Sequence, residues 1–225
     1  MLKVRLIPCI VTKNELVVQS FNFRKYLPIG NVKTAIEFFV NWDVDEIVIL
    51  DIDASREGRG PNVELVAWAA KECFVPLTIG GGIRTVQHIR DLLKAGADKV
   101  CLNSVVYDHE AFITEAAAVF GCQCITVSID AIETPDGYRV FNHLTRTILP
   151  QTPAEQARRL EGLGAGEIFL NSVDRDGCRQ GYDLALLRSV ASEVSIPVIA
   201  CGGVGKMADL AAGVLQGGCQ AVAAA

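Results

Sequence analysis

Pro76-Leu-Thr-Ile-Gly-Gly-Gly-Ile83 returns 121 residues later as Pro197-Val-Ile-Ala-Cys-Gly-Gly-Val204. Each copy is a short apolar run that ends in paired glycines. The same offset places Gly96 on Gly217 and Glu46-Ile-Val-Ile49 on Glu167-Ile-Phe-Leu170. One offset shared by three places points to an internal duplication rather than to chance similarity of two glycine-rich turns. Outward from these copies, short β-branched runs fall at 4–10, 46–52, 75–79, 99–103, 124–130, 167–172, 197–200 and 221–224. Amphipathic stretches lie between them, among them 32–41, 63–72, 86–95, 111–119, 153–163 and 184–193. Such alternation predicts parallel strands joined by helical crossovers. Eight strands in this rhythm, with no Pro/Gly/Ser-rich linker, predict one α/β domain over residues 1–225, a closed (βα)8 TIM barrel. Its two half-barrel repeats would cover about 1–121 and 122–225. The sequence reaches Ala225 immediately after the eighth strand, so the eighth helix is missing. Because that would leave an apolar strand face uncovered, a continuation beyond Ala225 is expected.

Composition narrows the function. Half of the 225 residues are apolar, ample for a large core, and the net charge is −5. The basic residues are dispersed, which argues against a nucleic-acid surface. No signal peptide and no membrane-length apolar run is present, so no membrane partner is expected and the cytoplasm is the expected location. None of the eight cysteines forms a CxxC pair, and Cys122/Cys124 is only C-x-C. Most sit in apolar strand-like or helix-like contexts, which predicts reduced thiols acting as small hydrophobes. His88, His109 and His143 lack metal-ligand spacing and read as structural or surface residues. No metal and no organic cofactor is implied.

In a barrel, chemistry sits at the C-terminal ends of the strands. Gly80-Gly81-Gly82 follows the third strand and Cys201-Gly202-Gly203 the seventh, where glycines let backbone N–H groups approach an anion. Asn103-Ser104 closes strand four beside the first cradle, and Ala224-Ala225 closes strand eight beside the second. A glycine pair alone has a plainer explanation, since βα turns often require positive φ. Two cradles related by the duplication suit a substrate with a phosphate at each end. Carboxylates gather at the same mouth: Asp51 and Asp53 after strand two, Asp130 after strand five, and Asp174-Arg-Asp176-Gly177 after strand six. Asp130, Asp51 and Asp176 are the candidate catalytic groups. Asp130 follows an apolar run and should point into a confined site, whereas Asp174 and Asp176 could equally serve an Asp-Gly turn.

The opposite face carries Arg5, Glu46, Lys99 and Glu167, all near strand starts. At equivalent positions their side chains could ring the barrel axis. Spacing alone leaves open whether they seal the barrel as an ion-paired plug or gate a small neutral molecule.

These residues carry a resemblance over the whole chain. Arg5-x-Ile-Pro-Cys9, Asn22-Phe-Arg24, Asp45-Glu46, Leu50-Asp51, Gly80-Gly-Gly-Ile-Arg84, Ala95-Gly-Ala-Asp-Lys99, Asn103-Ser104, Gly121-x-Gln-Cys124, Ile129-Asp-Ala131, Asp174-Arg-Asp-Gly177, Gly181-Tyr-Asp183 and Ile196-Pro-Val-Ile199 resemble the cyclase subunit of imidazole glycerol phosphate synthase. The resemblance implies a synthase or lyase-type enzyme subunit in a heterodimer with a glutaminase, whose ammonia crosses the barrel to a phosphorylated substrate. It turns the charged ring into an ammonia gate and makes Asp98 and Gln123 glutaminase contacts. Asp130 becomes the general acid/base. Gly81, Gly82, Asn103, Ser104, Asp176, Gly177, Gly202, Gly203 and Ala224 become phosphate ligands.

The departures from that family lie at the catalytic mouth. Val11 stands where the family's other catalytic carboxylate ends strand one, and valine transfers no proton. Gln19, Ser20, Asn171 and Ala225 replace the family's usual lysine, glycine, threonine and serine. An intact charged ring with an altered top is similar to a side branch serving surface-polysaccharide (lipopolysaccharide) synthesis, in which ammonia converts an acetamido sugar to an acetamidino sugar. The stretch Asp51-Ile-Asp-Ala-Ser55 with Pro61-Asn62 resembles that branch too. Two other readings stay open: a histidine-pathway cyclase that tolerates Val11, and a non-catalytic ammonia channel that activates a glutaminase.

Overall fold

The computed structural model describes residues 3–225. Its elements in chain order are β1 (Arg5–Lys13), β2 (Leu16–Phe21), β3 (Lys25–Asn31), α1 (Val32–Val40), β4 (Ile47–Asp51), α2 (Val63–Glu72), β5 (Leu77–Gly80), α3 (Val86–Ala95), β6 (Lys99–Leu102), α4 (Ser104–Asp108) and α5 (Phe112–Phe120). There follow β7 (Ile125–Thr134), β8 (Gly137–Asn142), β9 (Thr147–Ile148), α6 (Pro153–Gly162), β10 (Glu167–Ser172), α7 (Leu184–Ala191), β11 (Val198–Cys201), α8 (Met207–Leu215) and β12 (Ala221–Ala224).

Eight parallel strands run β10-β11-β12-β1-β4-β5-β6-β7, and β7 pairs back onto β10 to close the barrel. The closing register sets Asp130 beside Asn171 and Thr126 beside Glu167. The expected (βα)8 barrel is therefore what the chain forms. No helix follows β12 among the described residues. Two antiparallel hairpins were not anticipated. β2 and β3 fold back from the end of β1, and β8 and β9 extend β7 beyond the barrel rim. β2 leaves β1 through a turn at Asn14 and Glu15, both at positive φ, a conformation that asparagine tolerates better than most residues.

Burial follows strand geometry. Successive side chains point to opposite faces, and both faces of these strands are covered. Ile7, Cys9, Val48, Cys101, Phe169 and Ile199 fill the barrel interior. Ile47, Ile79, Val100, Val127 and Leu170 face outward against the helices. Cys9, Cys101 and Cys201 are free thiols inside the barrel and serve as small packing groups, as expected. Burial pushes the Cys101 thiol well up, and a hydrogen bond with Cys201 together with burial does the same for Cys9.

The helices start where local chemistry provides an acceptor for orphan N–H groups. Asn31, Asn62, Thr85 and Asp183 cap α1, α2, α3 and α7. Thr152 and Glu155 form a capping box on α6, with Pro153 in its first turn. These caps set where each βα turn ends, and so where the mouth residues stand.

Candidate functional site

The mouth of the barrel holds two adjoining clefts. One is lined by the ends of β1, β4, β5, β6 and β7 together with both hairpins. It contains Val11, Asp51, Gly81, Gly82, Asn103, Ser104 and Asp130. The other contains Gln19, Gly177, Gly202, Gly203, Lys206 and Ala224. Asp176 and Ala225 line both clefts. Asp51, Asp53, Asp130 and Asp176 thus line the mouth, with the two glycine turns in separate clefts, whereas Asp174, also expected there, is exposed and lines neither cleft.

The glycines in these turns are required by packing whatever they bind. Gly81 has φ +99, and a Cβ there would lie 2.1 Å from the Asp51 carbonyl oxygen. Gly203 has φ +108, and its Cβ would lie 2.3 Å from the Gly181 carbonyl oxygen. Gly81→Ala is expected to lower stability by about 1–3 kcal/mol through backbone strain alone. A urea unfolding curve reads the loss. An unchanged midpoint would mean that the β4 and β5 loops can separate freely.

The carboxylates have distinct surroundings. Asp51 accepts hydrogen bonds from the backbone N–H groups of Asp53 (3.1 Å) and Ala54 (3.2 Å) and from Arg59 (3.0 Å). It thereby shapes the loop after β4. Asp53, only 3% exposed, accepts from Lys13 Nζ at 2.6 Å and from the Asn14 N–H at 3.0 Å. Asp174 accepts from the Glu133 N–H at 2.7 Å and pins the second hairpin. Asp176 accepts from Ser20 Oγ at 2.5 Å. Burial raises the Asp176 pKa, and the Ser20 bond only partly opposes it.

The Lys13–Asp53 pair has a testable pH signature. Burial alone would raise the Asp53 pKa, but the Lys13 ammonium and the Asn14 N–H outweigh it and hold the carboxyl below 3.8. A depressed folded-state pKa contributes stability above the ordinary value, and that stability is lost as pH falls through the folded value. Lys13→Met is therefore expected to be destabilised at about pH 7, and its deficit against the parent should shrink below about pH 4. Urea unfolding at several pH values reads this. A deficit constant with pH would assign Lys13 a packing role only.

Asp130 is 3% exposed and lies in the buried part of β7, which runs to Ala131. Its Oδ2 accepts from Asn103 Nδ2 at 2.9 Å and faces His143 Nδ1 at 3.1 Å. The expectation that His143 is a structural or surface residue is corrected here. The β8–β9 turn carries its imidazole into the cleft, where the ring is partly buried. No spacing signal marks that contact, because it exists only once β8 has folded back on β7. Val11, on β1, lies four strands round the barrel from Asp130, on the opposite wall of the same cleft.

At the other end of the barrel the four charges form a closed alternating ring. Arg5 bonds Glu46 at 2.6 Å and Glu167 at 2.5 Å, and Lys99 bonds them at 3.0 and 2.9 Å. Thr78 Oγ1 adds a bond to Glu46 at 2.6 Å, and Thr126 Oγ1 one to Glu167 at 3.3 Å. Burial lowers the Arg5 pKa, but the two glutamates more than reverse that and leave it raised. Asp98 accepts from the Leu77 N–H at 2.9 Å. Asp98 and Gln123 are both exposed, at the start of β6 and just before β7.

No group of His, Cys, Asp and Glu suited to a metal ion is present among the described residues. Nor, among them, is any helix long and apolar enough to cross a membrane.

The profile of the family "Histidine biosynthesis protein" matches residues 5–225. The chain is 64% identical over 225 residues to the "Putative imidazole glycerol phosphate synthase subunit hisF2" of Vibrio vulnificus strain YJ016, covering all of this chain and 83% of that protein. It is 44% identical over 225 residues to the "Imidazole glycerol phosphate synthase subunit HisF" of Hyphomonas neptunium strain ATCC 15444, covering all of this chain and 89% of that protein.

Proposed function

The chain belongs to the histidine biosynthesis protein family, as a HisF-type enzyme subunit, and within it we propose an ammonia-using synthase that has changed its acceptor. In this reading a glutaminase docks on the face bearing Asp98 and Gln123. Ammonia passes the ring of Arg5, Glu46, Lys99 and Glu167 and reaches a phosphorylated sugar-type substrate held between the two glycine turns. The acceptor is an acetamido sugar of surface-polysaccharide synthesis, converted to its acetamidino form.

The observation that carries this reading is the wall opposite Asp130. Val11 occupies it, and the neighbouring carboxylates are engaged elsewhere: Asp51 with Arg59 and its own loop, Asp53 with Lys13, and Asp176 with Ser20. Closing an imidazole ring between two carboxyl groups on opposite walls needs a proton-transferring group at Val11. Adding ammonia to one carbon does not require that second carboxylate.

The competing reading is the histidine-pathway cyclase itself. Both glycine turns and Asp130 favour it, as does the likeness to the Hyphomonas subunit. The test uses the protein in high ammonium, at a pH where free ammonia is appreciable. The ribulosyl aminocarboxamide bisphosphate of that pathway and nucleotide-linked acetamido sugars are supplied in parallel. Amidation of a sugar with no imidazole glycerol phosphate formed is the expected result. Formation of imidazole glycerol phosphate would sink the sugar reading and establish a cyclase that works without a carboxylate at Val11.

A further inference from the structure

We propose that His143 is a catalytic proton-transfer residue, held and oriented by Asp130 on the wall opposite Val11. The inference rests on the reading above that this mouth adds ammonia to an acceptor, and it holds for either acceptor.

The geometry separates the two ring nitrogens. Nδ1 faces the Asp130 carboxylate at 3.1 Å, whereas the hydrogen-bond partner of Nε2 among the described residues is the Ser104 hydroxyl, at 3.5 Å. A carboxylate accepts but does not donate, so the proton of the neutral ring belongs on Nδ1 and Nε2 carries the free lone pair. A buried aspartate that fixes the tautomer and orientation of an imidazole in this way prepares it to act as a base.

The loop that carries His143 is itself restrained. Asn142 Oδ1 accepts from the N–H groups of Leu144 (3.0 Å) and Thr145 (3.3 Å), which sets the turn. Arg146 reaches across to the carbonyl oxygen of Phe23 at 2.6 Å and ties this hairpin to the other one. The ring is therefore presented by a braced turn and not by a free loop.

A second observation points to a nitrogen-bearing reactant at the same place. Asn103 gives its Nδ2 to Asp130, which fixes the orientation of its amide. Its Oδ1 is then left buried, with no hydrogen-bond donor among the described residues. A buried acceptor without a donor is costly, and an N–H group of ammonia satisfies it. In the step itself the ammonia lone pair forms the N–C bond as the π pair of the acceptor's C=O or C=N bond moves onto its heteroatom. Nε2 takes one proton from the new ammonium nitrogen and returns it to that heteroatom, which completes addition of ammonia across the double bond. An acetamido acceptor then loses its oxygen as water, as Nε2 moves a second proton from the new amino nitrogen to the hydroxyl and the C=N bond of the acetamidino group forms.

The experiment combines turnover with a readout that needs none. The ammonia-dependent reaction is measured for the parent, His143→Ala and His143→Gln, with whichever acceptor the parent uses. Glutamine retains a polar side chain but cannot shuttle a proton, so both variants should lose kcat by about 100-fold or more with little change in acceptor KM. In parallel, 15N resonances of the labelled imidazole should report the Nδ1–H tautomer in the parent and its loss in Asp130→Ala. A glutamine variant within about threefold of parental kcat overturns the proposal, since general acid–base groups contribute far more than that. So does an Nε2–H ring in the parent. If the parent turns over neither acceptor, the reading of function fails on its own, and the tautomer alone then upholds or overturns the Asp130–His143 arrangement.

Discussion

Arg5→Met is expected to lower the unfolding free energy by about 3–5 kcal/mol, the usual cost of removing one partner from a buried ion-pair network. Arg5 is the side chain that bridges Glu46 and Glu167 on one side of the ring, and Glu46 is 1% exposed. Without it, two buried carboxylates share the single cation of Lys99. Methionine keeps much of the apolar stem, so the loss reads charge more than packing. Combining Arg5→Met with Glu167→Gln should recover a large part of the loss, since Lys99 and Glu46 then remain as a neutral pair. Equilibrium urea unfolding of the three proteins checks this. A single variant within about 1 kcal/mol of the parent would place the ring among weakly coupled surface pairs. If the ring also admits ammonia, the same single variant should alter coupling to a glutaminase while leaving turnover with added ammonium less affected.

Asp130→Asn is expected to reduce ammonia-dependent turnover by about 10²–10⁴-fold, the range over which a positioned acid–base group acts. The substitution is nearly isosteric, and an amide oxygen can still accept from Asn103 Nδ2 and from a protonated His143 Nδ1. What it removes is the charge that stabilises an imidazolium and the ability of the carboxyl to take a proton. The variant should therefore fold like the parent and bind its acceptor with similar affinity. Steady-state kinetics with ammonium separate these effects: kcat falls while KM for the acceptor moves little. A loss of only a few-fold would favour the third reading, in which the barrel conducts ammonia and activates a glutaminase while the chemistry happens on another protein.

These two residues illustrate different kinds of legibility. Arg5, Glu46, Lys99 and Glu167 could be read together because each lies at or near the start of a barrel strand. The closed register brings strand starts to a common level whatever the loops do. Asp130 could be read because it ends an apolar run on a strand whose end must face the mouth. By contrast, the partners of Asp51 and Asp53 were not legible. Asp51 accepts from its own loop and Arg59, and Asp53 lies against Lys13 of a neighbouring strand. Nothing in the spacing of Asp51 and Asp53 distinguishes one arrangement from the other. The two hairpins escaped for a related reason. Residues 16–31 and 137–148 carry mixed burial, so they lack the continuous apolar pattern that marks a strand covered on both faces.

From sequence alone the eight strands, their order and the gathering of acids and glycines at one mouth were determined. Burial on both faces writes a strand into its own few residues, and the duplication writes it twice. Only the tertiary structure decided which groups meet there. It set His143 on Asp130, engaged three neighbouring carboxylates with other partners, and left Val11 facing the cleft without a replacement carboxylate. Such contacts join residues from separate strands and hairpins, and their distances are set by barrel register and by the return path of each turn. Local sequence carries no record of either quantity.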